Sequence, residues 1–260
     1  MVSRYEGGES LSQIAKRAGI AQSTVRTKLL GGGVSMRSVG EGVHLANGTS
    51  AVQLTTEMLE ILDGLLLSDA SLSHSTFTSR LSLGQMESHR EWVDQVSCKL
   101  GNLGLENSVR IRNDQAGDVI IKGKLCHRSP VVILRTKHYE LLKAQRDRWY
   151  PEGKKRVPSD IILTPEVILH WYMGDGTVGC KGYHAKFCTD GFPETDILML
   201  IKMMEETFEW EPIREERNRI LLCKTQDRLS LVQMLTEKIP SCFRYKLNLR
   251  TVDRRFKVKN

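Results

Sequence analysis

The stretch LHWYMGDGTV, residues 169–178, is an apolar, helix-like run that ends in an aspartate between two glycines. About a hundred residues earlier, LDGLLLSDASL (62–72) places Asp69 at the corresponding point, between Ser68 and Ala70. A carboxylate at a helix C-terminus faces the negative end of the helix dipole, which costs from a few tenths to about 1 kcal/mol. Two such aspartates after matched apolar runs therefore indicate a function that requires them.

The residues around the two runs repeat in the same order, which predicts an internal duplication. Thr55 with Glu57, and Thr164 with Glu166, have the composition of helix N-caps, and Pro165 suits the first position of a helix. In each half the aspartate is followed by a polar turn, an extended segment, a helix, further strands and a last helix. The expected fold is α+β, with two αββαββα repeats packed about a pseudo-twofold axis.

The first helices of the two repeats are expected to meet at that axis, because Gly64 permits close approach of two backbones. Asp69 and Asp175 would then lie side by side at the C-terminal ends of these helices. Two adjacent carboxylates cannot both ionise comfortably without a cation. With oxygen ligands only, the natural cation is Mg2+, and paired carboxylates that hold divalent ions are the basis of two-metal phosphodiester hydrolysis.

Composition and charge favour an anionic partner. The 38 Lys and Arg residues exceed the 31 Asp and Glu residues, which gives a net charge of +7 and places nucleic acid first among partners. The six cysteines lack the spacing of a zinc site and are expected to be reduced thiols. The N-terminus MVSRYEGGES has no apolar stretch and no run could span a bilayer, so we expect a cytoplasmic, bacterial or phage-like protein with no membrane partner.

Residues 9–30 carry a helix, a turn at Gly19 and a second helix that Ser23 could cap. The segment resembles the IAxxxGIxxSTV form of helix-turn-helix found in site-specific recombinases and bacterial regulators. We expect a DNA-binding helix-turn-helix segment over 1–32 and a Gly-rich linker over 33–53, part of which could form a strand. The alternative is a helical hairpin that serves only for packing. The candidate DNA contacts in this segment are Gln22, Ser23, Thr24, Arg26 and Lys28.

The blocks LDGLLLSDA and ILHWYMGDG resemble the two copies of the motif that names the LAGLIDADG homing endonucleases. RWYPEGKKRVPSDIILTPE and the later YKL are similar to connecting segments in the monomeric members, so the resemblance spans roughly residues 54–250. It implies a monomer whose repeats, 54–160 and 161–260, form a β-saddle along the DNA major groove. The implied product is a staggered double-strand break in a long, asymmetric target. The resemblance suggests an intron-encoded mobile element, and a free-standing gene is left open.

The resemblance also implies roles for individual residues. The metal ligands would be Asp69 and Asp175, joined by the backbone carbonyls of Ser68 and Gly174. Two or three Mg2+ ions, for which Mn2+ can substitute, would be the cofactor. Water would be oriented by Gln85 and Asp190, and phosphate charge would be stabilised by Lys246 and by Lys154 or Lys155. Two residues depart from the motif: Ala70 replaces a glycine, and His170 replaces a small residue at the helix crossing, where we expect a hydrogen-bonded core histidine.

Basic residues alternate with apolar ones along the predicted strands, so that one face of the sheet would be basic and the other packed. The candidate contacts to DNA on these strands are Arg80, Arg110, Arg112, Lys122, Lys124, Arg135, Arg214, Arg217 and Arg219. Three functions are compatible with this scaffold: an endonuclease on double-stranded DNA, a splicing maturase that binds its own intron RNA, and a catalytically silent DNA-binding regulator. The third is disfavoured because a binding module has no use for two carboxylates that repel phosphate.

Overall fold

The computed structural model describes residues 1–47, 52–113, 116–121, 123–215 and 218–249. The N-terminal helices are α1 (Val2–Glu6), α2 (Leu11–Ala18) and α3 (Gln22–Gly31). They enclose a small core of their own, formed by Tyr5, Ile14, Ala15, Val25 and Leu29. Since this core is separate from the larger core of the following residues, the three helices pack as a unit.

The turn between α2 and α3 depends on Gly19, which adopts φ 64° at the end of α2. A left-handed backbone conformation at this position is readily adopted only by glycine. The helix α3 then begins at Gln22 after an extended Ala21, so Ser23 lies inside the first turn. The expectation that Ser23 caps this helix is therefore wrong, because the helix begins two residues earlier than a Ser23 cap requires.

The predicted linker over 33–53 contains a helix, α4 (Val39–Asn47). Ser38 and Glu41 cap its start reciprocally, with the Ser38 amide donating to Glu41 Oε2 at 2.6 Å. Just before the helix, the Arg37 guanidinium donates to the Tyr5 carbonyl at 2.9 Å and lies 3.9 Å from the centre of the Tyr5 ring. Arg37 thus attaches the start of this segment to the N-terminal helices, by side-chain contacts that the glycine-rich composition does not indicate.

Both repeats follow the predicted αββαββα order. The first comprises α5 (Thr56–Leu66), β1 (Ala70–Leu72), β2 (Leu81–Met86), α6 (Arg90–Asn102), β3 (Asn107–Arg112), β4 (Gly117–Ile121), β5 (Lys124–Arg128), β6 (Val131–Thr136) and α7 (Glu140–Trp149). The second comprises α8 (Pro165–Asp175), β7 (Gly176–Val178), β8 (Ala185–Cys188), α9 (Glu194–Phe208), β9 (Ile213–Glu215), β10 (Arg219–Leu222) and α10 (Thr225–Leu235). The difference is the β4–β5 hairpin, which extends the first repeat.

The two main sheets have the same strand order and register. The first is β1-β2-β6-β3 and the second β7-β8-β10-β9, and all their pairings are antiparallel. Ala70 pairs with Leu83, and Gly176 pairs with Phe187, so the residue after each aspartate occupies the same place in its sheet. Leu83 and Phe187 are fully buried beneath the helices. The duplication and the α+β fold predicted from the sequence are confirmed.

The helices α5 and α8 cross at Gly64. A Cβ atom added there would lie 2.6 Å from the Val167 carbonyl oxygen and 2.8 Å from His170 Cβ, so only glycine allows this approach. His170 is 2% exposed, and its Nε2 lies 3.2 Å from Glu166 Oε1, which confirms the predicted core histidine. Thr55 and Thr164 accept hydrogen bonds from the amides of Met58 and Val167, as predicted for N-caps. Within the described ranges, no helix is long and apolar enough to cross a membrane.

Candidate active site

The C-terminal ends of α5 and α8 are in contact, which places Asp69 and Asp175 in one site. A Cβ atom added to Gly174 would lie 2.5 Å from Ser68 Cβ and 3.3 Å from Asp69 Oδ2. Burial, and then the nearby Asp69 carboxylate, raise the pKa of Asp175 to about 7. The geometry therefore creates a pair of carboxylates in which the second resists ionisation unless a cation compensates it.

Two lysines cover the ends of these helices, one in each repeat. Lys155 Nζ donates to the carbonyls of Ser68 at 3.1 Å and Ala70 at 3.0 Å. Lys246 is 4% exposed, and its Nζ donates to the carbonyls of Tyr172 at 3.1 Å and Met173 at 2.6 Å. A cation at a helix C-terminus interacts favourably with the last carbonyls and offsets the dipole that disfavours the aspartates.

Burial lowers the pKa of Lys155 and that of Lys246 to about 8, against the opposing pull of the two aspartates. Both ammonium groups therefore lie in a poorly solvated site, where their charge acts strongly on a neighbouring anion. Lys154, the alternative in the first repeat, is exposed. The structure thus directs Lys155 into the site, a distinction that the sequence left open.

Gln85 is also brought to the carboxylates, and His89 accompanies it. The Gln85 amide donates to Asp69 Oδ2, while His89 Nδ1 lies 3.1 Å from Gln85 Oε1. The His89 ring lies 4.3 Å from the Phe243 ring of the second repeat, and burial lowers the pKa of His89. Sequence reasoning missed His89. Its position four residues after Gln85 was a weak signal, because β2 ends between the two residues.

Asp190 lies beyond the end of β8 and lines a cavity of about 280 Å³ together with Ser68, Lys155 and Asp175. Its carboxylate accepts hydrogen bonds from Arg219 Nε at 3.0 and 3.2 Å. The strand register, however, makes Thr189 the counterpart of Gln85, since both lie two residues after matched core positions. Asp190 therefore reaches the site from the following turn, one residue later than exact repetition requires.

The oxygen atoms at this site suit a hard divalent cation. Besides the two carboxylates, the carbonyls of Ser68 and Gly174 lie at the helix ends, and each accepts from a lysine, at 3.1 and 3.4 Å. A carbonyl oxygen has two lone pairs, so a second interaction remains available to each. Within the described part of the chain, no group of three or more His, Cys, Asp and Glu residues could hold a metal. Mg2+ commonly binds one or two carboxylates and completes its shell with water and phosphate oxygens, so this set fits it.

The first sheet has a basic outer face. Arg110, Arg112 and Arg135 are exposed on the side away from the helices, and Arg80 lies beside them. The register places Ser108 and Ser82 on either side of Arg135, so these residues share one surface. The four arginines and Ser108 line a groove of about 480 Å³ that is open to solvent. The predicted basic surface is therefore assembled in the first repeat.

The second sheet differs, because acidic residues pair with its cations. Lys186 Nζ lies 3.0 Å from Glu215 Oε2, and Arg219 pairs with Asp190. Arg214 corrects a prediction: it pairs with Ile220 in the register, which places it on the helix side, where it contacts Glu194 of α9. Side chains alternate between the two faces of a strand. The register therefore places Arg214 and Arg219 on opposite faces of the sheet.

The remaining candidates fall into two groups. Lys122 and Arg217 lie outside the described residues, and Lys124 is the first residue of β5. In α3, the candidate DNA contacts form an exposed polar surface, while Val25 and Leu29 point into the N-terminal core. The members of this polar surface are Gln22, Ser23, Thr24, Arg26 and Lys28.

Comparisons with known proteins agree with this arrangement. The profile of the LAGLIDADG DNA endonuclease family matches residues 59–229. An uncharacterized protein of Methanocaldococcus jannaschii is 25% identical over 215 residues, which are 80% of each chain. The cytochrome b mRNA maturase bI2 of Debaryomyces hansenii is 30% identical over 162 residues, 58% of this chain and 57% of the maturase.

Among solved structures, the fold is similar to that of the homing endonuclease I-WcaI bound to its DNA recognition sequence. The TM-score is 0.61 at 14% identity, over 84% of this chain and 96% of that chain. This likeness supports the fold alone, whereas the family profile covers most of the chain and includes both the Asp69 and Asp175 motifs. The chain belongs to the LAGLIDADG DNA endonuclease family.

Proposed function

We propose that this chain is a site-specific DNA endonuclease that makes a metal-dependent, staggered double-strand break in a long, asymmetric target. The observation that carries the proposal is the convergence of Asp69 and Asp175 at one site, each with a buried lysine at the end of its helix. A protein that only binds DNA gains nothing from two carboxylates near the phosphates. We also propose that it acts as a monomer, because one chain supplies both halves of the site, and that it acts in the cytoplasm.

In this proposal Asp69 and Asp175, with the carbonyls of Ser68 and Gly174, hold the divalent ions. When bound, such ions supply an activated water and stabilise the leaving oxygen. Gln85, fixed between Asp69 and His89, orients water on one side, and Asp190 does so on the other. The lysine ammonium groups stabilise the negative charge that develops on the phosphate.

DNA would lie across the outer faces of the two sheets. The arginines of the first sheet would contact phosphates and base edges, while the paired cations of the second sheet offer less net charge. This asymmetry suits an asymmetric target. The exposed polar surface of α3 would extend the contact with DNA beyond the repeats.

The test of the proposal is cleavage of DNA that spans the uninterrupted version of the locus hosting this gene. We expect a discrete double-strand cut with Mg2+ and binding without cleavage with Ca2+. Tight binding with no cut in any divalent metal would contradict the proposal.

The choice between neighbouring lysines gives a matched pair of variants. Lys155→Met should lower the single-turnover cleavage rate about 100-fold, because loss of one preorganised charge-stabilising group typically costs about 10²–10³. Lys154→Met should change the rate less than about threefold, since that side chain is exposed. Equal losses in the two variants would show that the lysine contacts to the helix end have no catalytic role.

The salt dependence of DNA binding tests the role of α3. Each phosphate contact contributes about 0.9 to the slope of log K against log salt concentration. Arg26→Ala combined with Lys28→Ala should therefore reduce the slope by roughly 1 to 2 and leave the cleavage position unchanged. Lys202→Ala on α9, which removes an exposed cation paired with Glu206, serves as the control. A slope unchanged by the double variant would assign α3 to packing alone.

The relative that is a cytochrome b mRNA maturase supports a second candidate function, in which the chain binds its own intron RNA and assists splicing. The exposed arginines of the first sheet could serve either nucleic acid. A splicing assay with the host intron separates the two functions, because Asp69→Asn should leave splicing intact while abolishing DNA cleavage.

A further inference from the structure

The first-turn carboxylate of α6 reaches across to the second repeat. Glu91 accepts hydrogen bonds from the amides of Ser241 at 3.0 Å and Cys242 at 3.0 Å, and also from the Ser241 hydroxyl. These donors begin the 3-10 helical segment Ser241–Leu247, which carries Lys246. Glu91, a residue of the first repeat, thus caps the segment that delivers the lysine of the second.

A carboxylate in the first turn of α9 makes the corresponding contact in the opposite direction, from the second repeat to the first. Asp196 is 4% exposed and accepts the Val157 amide at 2.9 Å. It also pairs with Arg156, with Nη2 2.7 Å from Oδ1 and Nε 2.9 Å from Oδ2. Val157 and Arg156 directly follow Lys155, so a residue of the second repeat fixes the segment that delivers the lysine of the first.

These two contacts are not a simple product of the duplication. When the buried residues of the helices are matched, Val93 with Ile197 and Val96 with Leu200, Glu91 and Asp196 fall one position apart. Their partners also differ, since one holds two amides and a hydroxyl and the other holds a guanidinium and an amide. The same connection is therefore made twice with different chemistry.

We propose that Glu91 and Asp196 are positioning residues, each of which holds the active-site lysine of the opposite repeat in place. The inference rests on the proposed endonuclease function. The ammonium group of each lysine is held by carbonyls of its own repeat, and the chain segment that carries the lysine is held by a carboxylate of the opposite repeat. Each half-site is therefore complete only when the two repeats are docked. One of the two carboxylates positions the lysine of each half-site.

We expect the loss of either carboxylate to affect the cleavage of one DNA strand only. The pseudo-twofold axis assigns one lysine to each strand, so weakening one lysine should slow the cutting of one strand. Glu91→Gln should lower the cleavage rate of one strand about tenfold and accumulate nicked duplex. Asp196→Asn should do the same for the opposite strand. Displacement of a reacting group by about 1 Å can cost roughly 100-fold in rate, so a tenfold effect needs only a small shift.

The experiment is single-turnover cleavage with Mg2+ of a duplex labelled differently on its two strands. The matched controls are Asp94→Asn on α6 and Glu206→Gln on α9, which break exposed i,i+4 ion pairs on the same helices. They should cut both strands at the wild-type rate. Ser241→Ala removes the hydroxyl donor to Glu91, and Arg156→Gln removes the guanidinium donors to Asp196, while both leave the carboxylate in place. These variants should show the same strand bias if Glu91→Gln or Asp196→Asn fails to fold.

The outcomes separate this inference from the proposed function. A wild-type chain that cuts both strands, with variants that fold and bind DNA yet slow both strands equally or neither, would overturn the positioning role and leave the endonuclease intact. Nicks in opposite strands from the two variants would establish it. A wild-type chain that cuts neither strand would overturn the proposed function and this inference with it.

Discussion

Asp69→Asn and Asp175→Asn should each lower the rate of DNA cleavage by on the order of 10³-fold or more while leaving DNA affinity within about threefold. Metal-assisted hydrolysis supplies several kcal/mol of transition-state stabilisation, and each 1.4 kcal/mol is about a factor of ten. An amide in place of either carboxylate removes a charge that we propose holds a divalent ion. Binding should persist because the proposed contacts to phosphates and bases lie on the sheets.

The measurement is single-turnover cleavage with Mg2+, with affinity determined in Ca2+. Asp147→Asn provides the control, because this carboxylate pairs with Lys143 on the exposed surface of α7. It removes one negative charge from the chain without touching the site. If Asp69→Asn or Asp175→Asn cut DNA at the wild-type rate, the assignment of the carboxylate pair as metal ligands would be wrong.

Gly64→Ala should lower the free energy of unfolding by about 2 kcal/mol, within the range typical of overpacked cores. The added methyl group would lie 2.6 Å from the Val167 carbonyl oxygen, so the backbone of α8 has to move. Gly101→Ala makes the same substitution in α6, where the nearest atom would be Asn107 Nδ2 at 3.8 Å. That variant should stabilise the protein by up to about 1 kcal/mol, because alanine favours helix over glycine.

Urea unfolding of the two variants checks this difference in sign. Gly64→Ala should also reduce cleavage, because separation of α5 and α8 at their crossing moves Asp69 away from Asp175. Wild-type stability in Gly64→Ala would mean that the two helices do not approach as closely as the structure shows. Because one glycine replacement is expected to destabilise the protein and the other to stabilise it, a comparison of the two separates the effect of helix propensity from the effect of close packing.

The sequence predicted the features that depend on local pattern or on repetition. The order of elements follows from hydrophobic periodicity, and the threonine caps follow from the preference of hydroxyl side chains for helix starts. The paired aspartates could be placed at one site because duplication implies an axis, and the axis brings equivalent helix ends together. The helix α4 was missed because its glycines indicate a loop, while the Ser38–Glu41 cap that begins it was overlooked.

Only the tertiary structure decided which side chains complete the site. Lys154 and Lys155 have the same charge and are neighbours, and the path of the chain past Ser68 selects the second. The sequence gives no reason to connect Glu91 with Ser241, which lies 150 residues away, because such contacts depend on how two repeats dock. Arg214 faces the helices because register, not composition, sets the side of a strand that a residue occupies. The chain's local chemistry thus determined the scaffold and its two carboxylates, while long-range packing determined the residues that hold the lysines beside them.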